Sequence, residues 1–121
     1  MPIRCSLTIM ALMVLSCGKD LPTLEGIDTD QWKKDKNACT GQRQSMEPPL
    51  RAELSKLKGL SEMDIIALLG RPDQNELYKR NQKFYYYFIS PGPGCTNVVS
   101  SAHKLVLRFN AMGYAQLVSI E

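Results

Sequence analysis

The sequence has few of the side chains from which metal and catalytic sites are built. It contains one histidine, His103, and four cysteines, none of them in a Cys-x-x-Cys pair. A structural zinc ion needs a closed shell of such ligands, so this composition disfavours zinc. A Gly-rich phosphate loop, a His-x-x-x-His spacing and a Ser-His-acid order are also missing. We predict that the chain holds no metal and no other cofactor.

Catalysis has two candidate side chains, and neither has a partner in the sequence. His103 could act as a general base, but a lone histidine lacks the second group that acid–base chemistry uses. Cys95 could act as a nucleophile only if it were a free thiol. We therefore predict that the protein is not an enzyme.

The chain also lacks a strong excess of one charge and a long apolar run. Its 15 Lys and Arg residues face 12 Asp and Glu residues, and the short basic clusters at 33–36 and 79–83 have acidic neighbours. This balance does not predict a nucleic-acid partner. The longest apolar stretch, 7–15, is shorter than the roughly 20 residues of a membrane-spanning helix. With 121 residues, the chain forms one domain at most.

The N-terminus has the layout of an export signal. A basic residue precedes the apolar stretch 7–15, and small Ser16 comes directly before Cys17. This arrangement resembles the bacterial lipobox, in which the cysteine is acylated and becomes the first mature residue. A plain secretory signal with an incidental cysteine is the alternative. We predict a signal peptide over 1–16, lipidation of Cys17, and a location in the cell envelope. The outer membrane is favoured over the inner one because the residue after Cys17 is Gly18, and not the aspartate that favours retention in the inner membrane.

Cys39 and Cys95 remain after the signal and the lipidated residue are set aside. An oxidising compartment favours a disulfide between them. Closing the long loop between the two residues would stabilise the fold by about 4 kcal/mol in the chain-entropy model. Two free thiols and a metal site are the alternatives.

The segment 17–31 is predicted to be a polar tether between the lipid and a domain over 32–121. It is rich in acidic residues and contains Pro22 and Gly26, with no sustained helical or strand period. Trp32 follows among charged residues, where it either caps the core or forms an exposed contact. Because nearby Cys39 would pin this stretch to the domain, we favour the core cap.

Two short helices are predicted next. In 50–59, Leu50, Leu54 and Leu57 form one apolar stripe, and a glycine ends the segment. In 60–70, Ser61 is the predicted N-cap. The helix ends at Gly70, whose backbone can adopt the left-handed conformation. The apolar residues of this second helix are assigned to the core: Met63, Ile65, Ile66, Leu68 and Leu69.

The pattern then changes from helical to extended. Residues 83–90 form a predicted aromatic strand with Phe84, Tyr86 and Phe88 on one face and Tyr85, Tyr87 and Ile89 on the other. The loop 90–95 contains two Pro and two Gly residues, which exclude a regular ladder. Residues 104–110 and 114–120 form a hairpin. We predict an α+β fold in which two short N-terminal helices pack on one face of a three- or four-stranded antiparallel sheet.

Residues 60–73, Leu-Ser-Glu-Met-Asp-Ile-Ile-Ala-Leu-Leu-Gly-Arg-Pro-Asp, resemble the helix-and-turn signature of the SmpA/OmlA (BamE-like) family of small outer-membrane lipoproteins. The family's pattern continues with an aromatic strand and a hairpin containing Phe-[DN]-x-x-Gly, which 84–88 and 109–113 match. The resemblance covers 50–121. It implies the helix-helix-sheet fold that the family shares with the β-lactamase inhibitory proteins, and a role as an accessory in outer-membrane protein assembly.

These observations predict a non-enzymatic envelope lipoprotein that acts as a protein-binding module in outer-membrane protein assembly or envelope integrity. Its predicted partners are the membrane, through Cys17, and an envelope protein. The expected contact surface is the part of the sheet that the helices leave uncovered, with Tyr85, Tyr87, Arg108 and the loop Pro91-Gly92-Pro93-Gly94 as candidate residues. The alternative is a secreted-side protein inhibitor or small-ligand-binding module on the same fold.

Overall fold

The computed structural model describes residues 21–121. The helices come first: α1 (Thr29–Lys34), a 3₁₀ turn (Lys36–Ala38), α2 (Gln42–Ser45), α3 (Glu47–Leu57) and α4 (Glu62–Leu69). The strands follow: β1 (Gln74–Tyr78), β2 (Gln82–Phe88), β3 (Lys104–Phe109) and β4 (Ala115–Ile120). They form a four-stranded antiparallel sheet in the order β1-β2-β3-β4. The predicted α+β class, with its helices N-terminal to the strands, is confirmed.

Helix α4 begins and ends where local sequence signals predict. The Ser61 side chain accepts a hydrogen bond from the backbone N–H of Asp64 at 3.2 Å, which satisfies a donor that the first turn leaves free. Gly70 follows the last turn with φ of +80°, where a side chain would be strained. Ile65, Leu68 and Leu69 enter the core, whereas the prediction for Met63 is wrong because this residue faces solvent.

Helix α3 begins three residues before the predicted segment, with Pro48 and Pro49 in its first turn. Proline is tolerated there because the first turn does not use its own N–H groups. Leu50 and Leu57 are fully buried and Leu54 packs against the core. The predicted apolar stripe is therefore the buried face of the helix.

The core lies between the helices and one face of the sheet. Its sheet side is formed by alternate residues of the strands: Tyr85, Tyr87, Leu105, Leu107 and Phe109. Its helix side is formed by Trp32, Leu50, Leu57, Ile65 and Leu69. Burying each aliphatic or phenylalanine side chain contributes about 1.5 to 3 kcal/mol. The helices therefore cover this face at β2, β3 and β4, whereas Asn75 and Leu77 of β1 lie on the same side and remain exposed.

Trp32 is fully buried, and its ring lies 6.3 Å from that of Tyr87. The predicted core cap is confirmed. A disulfide joins Cys39 to Cys95, as predicted, across a sequence separation of 56 residues.

Residues 21–31 correct the described part of the predicted tether over 17–31. Leu24 is buried in the core, Ile27 packs against it, and α1 begins at Thr29 with Asp28 as its N-cap. Two apolar residues in a polar segment produce no period, so the sequence did not indicate that they pack. The predicted signal peptide and the lipidation site Cys17 lie outside the described residues.

Candidate functional site

Two of the predicted contact residues, Tyr85 and Tyr87, lie in the core and not on the surface. Their hydroxyl groups donate hydrogen bonds to Glu62 Oε1 and to the carbonyl of Gly70, both at 2.7 Å. Burial, together with the bond to Glu62, raises the pKa of Tyr85 to about 12. The prediction that these tyrosines contact a partner is corrected. The alternating pattern of β2 gives two equivalent aromatic faces, so the sequence did not indicate which one is buried. In the structure the helices cover the face that carries Tyr85 and Tyr87.

The other face of the sheet carries a row of aromatic rings that no helix covers. The Phe84 ring stacks parallel to that of Tyr86 at 6.0 Å, and Tyr78 meets Phe84 edge-on at 5.6 Å. Residues opposite one another in antiparallel strands point to the same side, so Arg108 lies beside Phe84 and Leu117 lies beside Arg108. We call this surface the open sheet face.

Charged side chains border the aromatic row. The ammonium group of Lys104 lies 4.5 Å from the centre of the Tyr86 ring. The Tyr86 hydroxyl donates a hydrogen bond to Glu76 at 2.5 Å. Burial and this bond raise the pKa of Tyr86 to about 12. Arg108 Nε is buried and has no hydrogen-bond partner within residues 21–121.

Two clefts adjoin the open sheet face at the end where β2 finishes. The larger has a volume of about 560 Å³ and is lined by Asp73, Gln74, Asn75, Glu76, Tyr86 and Lys104. A second, of about 310 Å³, is lined by Phe88, Pro93, Lys104 and the loop residues 98–102. Lys104 lies between them and links the two clefts.

The Pro-Gly loop divides into a buried and an exposed half. Pro91 and Gly92 are buried, while Pro93 and Gly94 are exposed. A Cβ atom on Gly92 would lie 2.6 Å from the Phe88 ring, so only glycine fits there. Only the exposed half of this predicted contact segment is therefore available to a partner.

The rest of this loop is braced against the domain. The backbone N–H of Val99 donates to the carbonyl of Pro91 at 3.0 Å, and Cys95 is held by its disulfide. Val98 and Val99 are exposed beyond these anchors. The loop therefore presents two apolar side chains on a constrained backbone.

A buried ion pair holds the base of this region, and sequence reasoning missed it. Arg43 Nη1 lies 2.6 Å from Asp73 Oδ2, and both side chains are inaccessible to solvent. The same nitrogen donates to the carbonyl of Phe88, and Asp73 accepts the N–H of Phe88 at 2.8 Å. Arg43 Nε donates to the carbonyl of Trp32 at 2.9 Å. The pair thus joins the helical layer to the end of β2.

Asp35 is connected to the same network through the backbone of Arg43. Its carboxylate accepts N–H bonds from Thr40 and Arg43 and a hydroxyl bond from Thr40. Burial alone would raise its pKa, but these hydrogen bonds outweigh it and the pKa of Asp35 is lowered. The sequence did not indicate the buried ion pair, because Arg43 lies in a short polar stretch without a recognisable pattern.

The two candidate catalytic side chains are both engaged in other contacts. Cys95 is in the disulfide and has no thiol. His103 Nδ1 lies 3.0 Å from Glu47 Oε2, at the surface where α3 begins. Across residues 21–121, no group of three or more His, Cys, Asp or Glu side chains is arranged to hold a metal. Nor does any helix in this range have the length and hydropathy to cross a membrane.

No protein-family model, no characterised protein and no solved structure matches the chain. The resemblance to the SmpA/OmlA family stays a prediction based on the motif residues in 60–73, 84–88 and 109–113.

Proposed function

We propose that this chain is a non-enzymatic envelope lipoprotein that acts as a protein-binding module, serving outer-membrane protein assembly or envelope integrity. The observation that carries the binding role is the open sheet face, which presents Tyr78, Phe84 and Tyr86 together with Arg108. Tyrosine, phenylalanine and arginine are enriched at protein interfaces, where they supply apolar area and hydrogen bonds together. The lipobox-like residues Ser16-Cys17 and the motif resemblance support the envelope location.

Two further features support a protein partner over a small ligand. The larger cleft is lined by charged and amide side chains except for Tyr86, whereas small-molecule sites are mostly apolar. Arg108 is partly exposed on the open sheet face, where its guanidinium could pair with a carboxylate of a partner.

An inhibitor of a secreted-side protein is the second candidate, and the braced loop favours it. Val98 and Val99 are exposed on a backbone that the disulfide and the bond to Pro91 constrain. Such preorganisation lowers the entropic cost of inserting a loop into a partner. Capture of one soluble target by the delipidated protein, abolished by Val98→Asp, would favour this candidate over an envelope partner.

Site-specific photocrosslinking in intact cells tests the binding role. Crosslinking residues are placed at Gln74 and Leu117 on the open sheet face, and at exposed Ser55 on α3 as the matched control. We expect the two face positions to yield an adduct with the same envelope protein and the control position to yield none. Equal adducts from Ser55, or no adduct from either face position, would contradict binding through this face.

Intact mass of the protein extracted from membranes tests the anchor. We expect a chain beginning at Cys17 that carries acyl mass and gains the mass of two hydrogens on reduction of the Cys39–Cys95 disulfide. A chain without acyl mass would exclude the lipid anchor.

Co-purification from the same membranes tests the assembly role. The recovery of barrel-assembly subunits with the protein would support this role, and their absence would contradict it.

A further inference from the structure

The three most exposed large apolar side chains of the described chain lie at one end of the domain. Met112, in the turn between β3 and β4, is 80% exposed; Met63, at the start of α4, is 76% exposed; Leu77, near the end of β1, is 73% exposed. We call this end, formed by 58–63, 77–83 and 110–114, the turn end. Exposed apolar residues scattered singly need no explanation, but their collection at one end indicates a contact surface.

Backbone and side-chain contacts hold these three segments together. The N–H of Glu62 donates to the carbonyl of Gly113 at 3.1 Å. The Glu62 carboxylate pairs at 3.2 Å with Lys83, which lies opposite Leu77 in the sheet. The apolar residues therefore keep fixed positions around one end.

Basic and tyrosine side chains surround the apolar ones. Lys58, Lys79 and Arg80 are exposed and form no ion pair with any residue of 21–121. Tyr78 and Tyr114 are about half exposed beside them. Apolar side chains mixed with lysine, arginine and tyrosine are typical of surfaces that rest on the headgroups of a negatively charged bilayer.

The path of the chain leads to the same end. Gly26 lies against Pro49, Glu25 donates its N–H to Glu53 at 3.0 Å, and Thr23 accepts a bond from Lys56 at 2.9 Å. Residues 23–26 thus run antiparallel to α3, so that earlier residues lie nearer the end of α3.

That end of α3 belongs to the turn end. Gly59, directly after the helix, donates its N–H to the carbonyl of Ala115 at 2.8 Å, next to Tyr114. Cys17 precedes Thr23 by six residues, which span at most about 20 Å when extended. A lipid on Cys17 would therefore hold the turn end close to the membrane.

We propose that the turn end is the membrane-facing surface of the domain and rests on a negatively charged bilayer. The proposal rests on the lipidation of Cys17 in the proposed function. It places Met63, Leu77 and Met112 at the headgroup region and the basic side chains against lipid phosphates. Because β2 and β4 run away from this end, the clefts and the loop with Val98 and Val99 point away from the membrane, where a partner can reach them.

Tryptophan fluorescence tests this orientation, because the single native tryptophan, Trp32, is fully buried. The full protein, purified from membranes, carries Met112→Trp at the turn end or Val98→Trp at the opposite end as the matched control. Both are reconstituted into vesicles of phosphatidylcholine and phosphatidylserine, with and without brominated acyl chains that quench tryptophan. We expect a blue shift and a loss of the Met112→Trp emission with brominated lipid, and unchanged emission from Val98→Trp.

The outcomes separate this proposal from the one on which it rests. Acylated protein whose Met112→Trp emission is unquenched contradicts the membrane-facing end and leaves the lipid anchor and the open sheet face as proposed. Equal quenching of both variants contradicts a fixed orientation. Protection of Met112→Trp from aqueous acrylamide in native membranes but not in vesicles identifies a protein, not lipid, as the occupant. Intact mass of the same samples reports separately whether the anchor is present.

Discussion

Arg43 shows how one side chain can join segments that are distant in sequence. Its guanidinium bonds Asp73, the carbonyl of Phe88 and the carbonyl of Trp32, and it lies 4.8 Å from the centre of the Trp32 ring. A buried ion pair loses hydration on folding, so it is no strong source of net stability. Removing one partner is costly, however, because the other charge stays buried without compensation.

We expect Arg43→Met to lower the free energy of unfolding by about 3 to 5 kcal/mol, since it leaves the Asp73 carboxylate buried and unpaired. Urea denaturation followed by circular dichroism measures the change. The matched control is Arg51→Met, which removes an exposed arginine paired with Glu47 and should cost less than about 1 kcal/mol. Similar losses for the two variants would contradict a special role for the buried pair.

Glu47 makes a pH-dependent contribution to stability at the start of α3. Burial raises its pKa, but hydrogen bonds from Arg51 and His103 outweigh burial, and the pKa lies below the ordinary 4.5. Because the folded value is below the unfolded one, the ionised carboxylate stabilises the fold above pH 4.5, and this contribution is lost as the pH falls through the folded pKa. Glu47→Gln should therefore be less stable than the parent at neutral pH and equal to it in strong acid. Urea unfolding across this range measures the difference, and a constant gap would contradict the assignment.

At the scale of elements, the turn between β1 and β2 contains strained backbone. Arg80 and Asn81 have φ of 60° and 62°, in the left-handed region that residues with a Cβ disfavour. Asparagine tolerates this conformation better than arginine because its short side chain can bond the local backbone.

We expect Arg80→Asn to raise the free energy of unfolding by about 0.5 to 1 kcal/mol by relieving this strain. The matched control is Lys58→Asn, at an exposed basic residue whose φ of −67° is unstrained. Thermal or urea unfolding measures both variants. If the two substitutions changed stability equally, strain at Arg80 would not be the cause.

Elements were predictable where their signals are local. Ser61 and Gly70 bound α4 through contacts within a few residues, so its ends followed from sequence alone. The start of α3 did not, because a Pro-Pro pair that suits a first turn also suits a loop. Met63 was misassigned since its place in the first turn of α4 faces solvent.

At the scale of the whole molecule, the disulfide fastens the loop with Val98 and Val99 to the helical layer. We expect the double substitution Cys39→Ser and Cys95→Ser to lower the free energy of unfolding by about 4 kcal/mol, through loss of the chain closure. In the double variant, hydrogen exchange should show that the backbone of 90–102 opens faster than that of β3 and β4. As a control, a reducing agent should destabilise the parent and leave the double variant unchanged. An unchanged unfolding energy in the double variant would contradict a stabilising role.

The sequence by itself determined the features that depend on neighbouring residues: the caps of α4, the aromatic strand β2 and the hairpin of β3 and β4, and a cysteine pair left over once the predicted export signal was set aside. Only the tertiary structure decided which face of β2 is buried, because Tyr85 with Tyr87 and Phe84 with Tyr86 are equivalent in a period-two pattern. The pairing of Arg43 with Asp73, the burial of Leu24 and the collection of Met63, Leu77 and Met112 at one end likewise join residues far apart in the chain. Such contacts leave no local pattern, since their energy exists only once the helices have packed on the sheet.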